Sequence, residues 1–264
     1  MRKTEIKEEK TETMEMQEML GAMGSDGIST NVDLVLVIDV TRSMEPIRTM
    51  VEKAALSFHE QLSEYLAEAK RKVDALRIKV IWFRDFYADG DQAYGESKFF
   101  ELPEESDAFH DFVTALEDKG GGDEPESGLE ALSLAMRSDF VQEGEKKRHI
   151  ICFFTDAPAH PLEDYDKLKT EAEANGCKVT SYPENMPKDL TEFYAEWSGE
   201  STEDGTSRLD QNDKRMILFA PCEYPYSDME IDLENVIRKD ITSGEGGEEL
   251  DIRDVYDLIA QSFR

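Results

Sequence analysis

Cysteine is scarce: three in 264 residues, Cys152, Cys177 and Cys222, far apart and without CxxC spacing. That excludes a disulfide framework and a zinc knuckle, and Cys152, inside an apolar run, reads as a small buried hydrophobe. Long hydrophobic runs are missing too. The longest, Leu34–Ile38 and Ile150–Phe154, are far too short to cross a bilayer. No apolar stretch follows the charged start MRKTEIKEEK, so it does not read as a signal peptide. Positive charge is in short supply, with 30 Lys and Arg against 60 Asp and Glu and a net charge of −30. Without a basic face the chain is not expected to bind nucleic acid nonspecifically or to dock on anionic lipid. No GxxxxGK[ST] phosphate loop, GxGxxG fingerprint or GxSxG elbow is present. What remains, with 39% hydrophobic residues to build a core, is expected to be a soluble protein of a reducing compartment, the cytoplasm.

Residues 1–28 read as an acidic, Met-rich N-terminal tail. Met14, Met16, Met19, Leu20 and Met23 form one weak apolar stripe before Gly21, Gly24 and Gly27 break the pattern. The body, 29–264, begins with Val32–Ile38, an aliphatic run interrupted only by Asp33. Similar runs follow at Ile78–Phe83, His149–Phe154 and Met216–Ala220. Such runs suit strands buried on both faces of a parallel sheet. Between the first two, Ile47, Val51, Ala54, Phe58, Leu62, Tyr65 and Ala69 predict one long helix, with Ser43 and Pro46 where a helix start wants them. Further helices are predicted over Glu124–Met136 and at the C-terminus, where Ile252, Val255, Leu258, Ile259 and Phe263 share a face. The alternation predicts an α/β fold: a Rossmann-like, doubly wound, mainly parallel sheet flanked by helices, with one short antiparallel edge strand at Lys98–Leu102. Residues 176–213 fit poorly and read as a surface insertion, with a strand at Val179–Tyr182, a helix at Asp189–Trp197 and a polar loop after it.

The chemistry sits where apolar strands stop. The first ends as VIDVTRSM, with Asp39, Thr41 and Ser43; another ends as CFFTDAP, with Asp156. In an open parallel sheet both ends face the ligand-binding edge. Aspartates and hydroxyls together suit a hard divalent cation, magnesium above all. Each residue has a structural alternative: Ser43 as a helix cap, Asp39 as a turn former. The stretch GGGDEPESGLEAL adds Asp123 at the start of a predicted helix, where it is either a ligand or the cap of a capping box with Glu126.

Asp39-x-Thr41-x-Ser43, GGGDEPE and FFTDAP occur in the order and at the approximate separations of the von Willebrand factor type A family. The chain resembles a bacterial-type intracellular member, and these residues resemble its metal-ion-dependent adhesion site (MIDAS). The resemblance covers residues 32 to about 160 well and the C-terminal helix more weakly. It implies that Thr41 and Ser43 give hydroxyl oxygens to Mg2+ (or Mn2+, with Ca2+ as a further option). Asp39 and Asp156 would bind directly or through water. Asp123 stands where many members have threonine, and three carboxylates overcompensate one dication, weakening its pull on a partner's carboxylate.

The implied function is a metal-dependent protein-interaction module, an adaptor or scaffold. Its protein partner would complete the metal shell with an acidic side chain. A magnesium-dependent hydrolase or phosphotransferase using the same carboxylates is the alternative, and a structural domain with a vestigial site a third. Against the enzyme, Thr41 stands where the haloacid dehalogenase pattern has its general-acid aspartate. Asp85, in WFRDFY at the end of the second strand, is either a residue behind the metal ligands or half of a surface pair with Arg84. His160 lies near Asp156 without a ligand partner in sequence, and His59 and His110 read as structural or solvated.

Overall fold

The computed structural model describes residues 30–68, 73–120, 125–144, 146–180, 182–200 and 209–262. The N-terminal segment, with its methionine stripe, lies outside them, as does Asp123. The elements run β1 (Thr30–Asp39), α1 (Glu45–Ala55), α2 (Phe58–Glu68), β2 (Ala75–Phe83), α3 (Phe86–Asp89), β3 (Tyr94–Glu96), β4 (Phe100–Leu102), α4 (Ser106–Thr114) and α5 (Gly128–Met136). They continue as β5 (Lys146–Phe154), α6 (Tyr165–Ala174), α7 (Leu190–Ser198), β6 (Lys214–Ala220), α8 (Tyr226–Asp232), β7 (Val236–Asp240) and α9 (Ile252–Gln261).

The strands lie in the order β3-β2-β1-β5-β6-β7, with β4 also on β2. β1, β2, β5, β6 and β7 are mutually parallel, the mainly parallel α/β sheet that the apolar runs predict. The edge is built differently from the single strand expected at Lys98–Leu102. β4 pairs antiparallel with the early half of β2 and β3 with its late half. Ser97 separates them, its hydroxyl accepting the Val80 N–H at 2.9 Å where a ladder carbonyl would otherwise sit.

Each face of the sheet buries its own apolar layer. Leu34, Leu36 and Ile38 pack under α1, α2 and α9 through Ile47, Val51, Phe58 and Tyr256. Val35 and Val37 pack under α5 and α7 through Leu129, Leu132, Phe193 and Trp197. Phe193 and Trp197 belong to the 176–213 stretch, whose helix is capped by the Asp189 carboxylate on the Glu192 N–H at 2.9 Å. Val179–Tyr182 forms no strand among its described residues. Val179 is buried beside Phe86 and Tyr87 and its carbonyl accepts the Tyr165 hydroxyl at 3.0 Å.

The long helix predicted from Ile47 onward is two helices. Ser57 turns both its N–H (3.0 Å) and its hydroxyl (3.4 Å) to the Ala54 carbonyl, a local bond that competes with continuation of the helix. From β1 the chain moves to β2 on one side and only later to β5 on the other. The carboxyl ends of β1 and β5 therefore border the point where the winding reverses, the crevice in which open α/β sheets hold ligands.

Candidate metal centre

β1 stops at Asp39, and a 3-10 turn over Arg42–Met44 leads into α1, with Pro46 in its first turn. Met44 holds the N-cap position of α1, so Ser43 is not the cap. Its hydroxyl instead donates to Asp156 Oδ1 at 3.1 Å. Asp39 Oδ1 accepts both the N–H and the hydroxyl of Thr41, at 2.8 and 2.6 Å, and Oδ2 accepts the Thr155 hydroxyl at 2.8 Å. Thr41 Oγ1 lies 3.4 Å from Ser43 Oγ. One continuous chain of oxygens thus runs from Thr155 through Asp39, Thr41 and Ser43 to Asp156.

Asp156 is held from above by the loop between β7 and α9. Gly246 N–H donates to Asp156 Oδ2 at 2.8 Å, and Gly244 N–H to its carbonyl at 3.0 Å. Gly246 has φ +64°, and a Cβ there would come within 1.9 Å of the Ser43 carbonyl oxygen. Only a residue without a side chain closes the loop onto the site.

Asp39 and Asp156 are buried, 0% and 1% exposed. The bonds on their carboxylates come from hydroxyls and amides, and neither forms an ion pair with a basic side chain among the described residues. Burial pushes the Asp39 carboxyl up to about 6; the bonds from Thr41 and Thr155 pull it down, and the charge of Asp156 adds to the rise. Two enclosed acids without a cation are costly, and every donor around them is a hard oxygen of the kind magnesium takes. Because Thr41 and Ser43 spend their protons on the carboxylates, their lone pairs stay free for a cation. The donor set fits a dication. Among the described residues no three His, Cys, Asp or Glu side chains are arranged as metal ligands. A centre of this make-up contains only two described carboxylates, the rest of its oxygens being hydroxyls.

The other residues singled out in the sequence lie elsewhere. The helix predicted from Glu124 opens at Gly128, with Ser127 at its N-cap. Glu126 is not in a capping box: it forms an isolated parallel bridge with Ala159, its N–H on the Pro158 carbonyl at 3.0 Å. Asp85 does not pair with Arg84. Arg84 is buried and donates to the carbonyls of Gln92 and Glu117 at 3.1 and 2.8 Å. Asp85, 2% exposed, caps α3 by accepting the Tyr87 N–H at 2.9 Å. His160 Nε2 lies 3.3 Å from Asp85 Oδ1.

Three participants carry little signal in the sequence. Thr155 shows itself only as a hydroxyl ending an apolar strand. Gly244 and Gly246 stand in SGEGGEE, whose glycines are the one local signal of a close backbone approach.

Residues 99–192 match the family model described as von Willebrand factor A domain. That span includes Asp123 and Asp156 and leaves out Asp39, Thr41 and Ser43. No curated protein matches the chain. Among solved structures, the pilus adhesin SpaC from Lactobacillus rhamnosus GG is similar at 13% identity and TM-score 0.48, over 90% of this chain and 32% of that one. Proximal thread matrix protein 1 from the mussel byssus, with a zinc-occupied MIDAS motif, is similar at 10% identity and TM-score 0.40, over 89% of this chain and 49% of that one. The chain spans under half the length of either protein, and at these TM-scores neither likeness carries a functional argument. No helix among the described residues is long and apolar enough to cross a membrane.

Proposed function

We propose that the chain, whose residues 99–192 match the von Willebrand factor A domain model, is a metal-dependent protein-interaction module. Asp39, Thr41, Ser43 and Asp156 would hold a divalent cation, magnesium or manganese, with Asp123 completing the set. The observation that carries this reading is the unbroken oxygen chain at the carboxyl ends of β1 and β5, two buried aspartates bonded to hydroxyls and amides alone. Bound there, a dication supplies an electrophilic centre for an acidic side chain of a partner. Thr155 keeps the Asp39 carboxylate oriented, Thr41 links it to Ser43, and the glycine loop fixes Asp156. These side chains hold and orient a cation, and the proposal is accordingly a binding module, placed in the cytoplasm, and not an enzyme.

The test is calorimetric titration of the full chain with magnesium and manganese, beside Asp39→Asn, with a generic phosphate ester as a parallel substrate. Binding in the wild type, its loss in Asp39→Asn and no turnover are expected. Turnover that disappears in Asp39→Asn would make the chain a hydrolase instead. Asp123→Asn is expected to weaken the cation, because it removes a negative charge beside it. An unchanged affinity would remove Asp123 from the set.

A further inference from the structure

Asp85 stands apart from the oxygen chain, yet it touches the segments that carry two of the proposed ligands. Its Oδ1 accepts two donors from two stretches of chain, the Tyr87 N–H at 2.9 Å and the Ser127 hydroxyl at 3.3 Å, and lies 3.3 Å from His160 Nε2 of a third. Ser127 in turn accepts the Phe86 N–H at 2.9 Å, and the His160 ring lies against Tyr87 with centroids 4.3 Å apart. Ser127 closes the stretch that contains Asp123, and His160 closes the stretch that opens with Asp156. The same two stretches are stitched together by Glu126 N–H on the Pro158 carbonyl (3.0 Å) and His160 N–H on the Glu126 carbonyl (2.9 Å).

We infer that Asp85 is a positioning residue for the metal centre, holding the stretch that enters α5 in register with the stretch that opens with Asp156, through Ser127 and His160. The inference rests on the metal-site reading above. A helix cap for the four residues of α3 needs only the Tyr87 bond. The Ser127 bond and the His160 contact reach 42 and 75 positions along the chain and meet on the same oxygen. A buried carboxylate that accepts an amide and a hydroxyl, with an imidazole in contact, is strongly fixed in place where water is excluded. Partners that orient ligands from behind commonly alter affinity by ten- to a hundredfold when removed.

The experiment titrates the full chain with magnesium in four forms: wild type, Asp85→Asn, His160→Ala and the double variant, each also melted in chelator. His160 is partly exposed, so its truncation keeps the test usable where Asp85→Asn folds badly. Asp85→Asn is expected to raise the dissociation constant about tenfold and His160→Ala to raise it by less. The double variant should be no weaker than Asp85→Asn, because both changes break one junction. His160→Gln, which keeps a donor, should recover part of the loss. Chelator melting points that fall while the magnesium constants of both single variants stay within about twofold of wild type would make Asp85 a purely structural bond and overturn the inference. Failure of the wild type itself to bind magnesium or manganese overturns the metal-site reading and this inference with it.

Discussion

Asp33 and Asp39 lie in the same strand, six positions apart, and are equally buried, 1% and 0% exposed. Their surroundings are opposite. Asp33 faces a fixed cation of its own chain: Arg77 forks onto it with bonds of 2.7 and 2.6 Å, and the Val141 N–H adds a third at 2.6 Å. Asp39 receives hydroxyls and an amide and, among the described residues, no basic side chain. One acid is neutralised from within at the amino end of β1. The other, at the carboxyl end where open sheets bind ligands, is left charged or protonated according to what the solution supplies. A single strand thus carries a finished ion pair and an unfinished one.

The contrast can be broken most severely at its finished end. Arg77→Ala strands the buried Asp33 carboxylate and should cost about 4 kcal/mol, read as the same drop in urea midpoint with or without magnesium. Among the described residues a third buried acid, Glu130 in α5, has neither kind of support, since both its carboxylate oxygens are shielded and meet no hydrogen-bond partner there. Burial raises its carboxyl from 4.5 to about 7. A raised acid contributes stability that is fully present below its unfolded value and lost as pH rises through the folded one. The wild type should therefore lose up to about 3 kcal/mol between pH 4.5 and 8 from this group. Glu130→Gln should flatten that part of the pH–stability curve, and parallel curves would remove the group from consideration.

At the unfinished end, magnesium at a hundredfold excess over its dissociation constant should add about 2.7 kcal/mol. Asp39→Asn should abolish that gain while changing the chelator melting point little. Identical wild-type melts in chelator and millimolar magnesium would close the comparison against the site. The smallest expected effect is Ser43→Ala, which deletes a hydroxyl ligand and should weaken magnesium roughly tenfold, about 1.4 kcal/mol, with the chelator melt unmoved.

Parts of this arrangement lie open in the sequence. β1, β5 and β6 read as nearly continuous apolar runs because parallel strands at the centre of a sheet are covered on both sides. Asp39, Thr41 and Ser43 are legible because two-residue spacing past a strand end is local. The remaining features depend on distance along the chain. Arg77 lies 44 positions from Asp33, and Gly246 is 90 from Asp156. β7 escapes notice because it is an edge strand with charges of its own, Arg238 pairing with Glu230 and Asp240. The break after Leu56 hides inside a perfect helical stripe, since Ile47, Val51, Phe58 and Leu62 all remain buried across it. The start of α5 at Gly128 is concealed by a plausible capping box upstream, whose Glu126 the bridge to Ala159 claims first.

The glycine loop over Asp156 divides naturally into a fixed rail and a replaceable display. Gly244, Gly246 and Gly247 are the rail: Gly244 and Gly246 bind Asp156 through their amides, and side chains at Gly246 and Gly247 would strike Ser43 and Ile47. Glu249, though exposed, accepts the Thr242 N–H at 2.7 Å and belongs with the rail; the exposed display is Glu245 and Glu248. Their identities can drift, or be rewritten by an engineer, without shifting the backbone beneath. Libraries that randomise those two glutamates while freezing the glycines and Glu249 would vary what the rim of the centre offers to other molecules and leave the centre's own architecture intact. Gly246→Ala, one methyl group, is by the same reasoning the smallest edit that would pry the loop off the face.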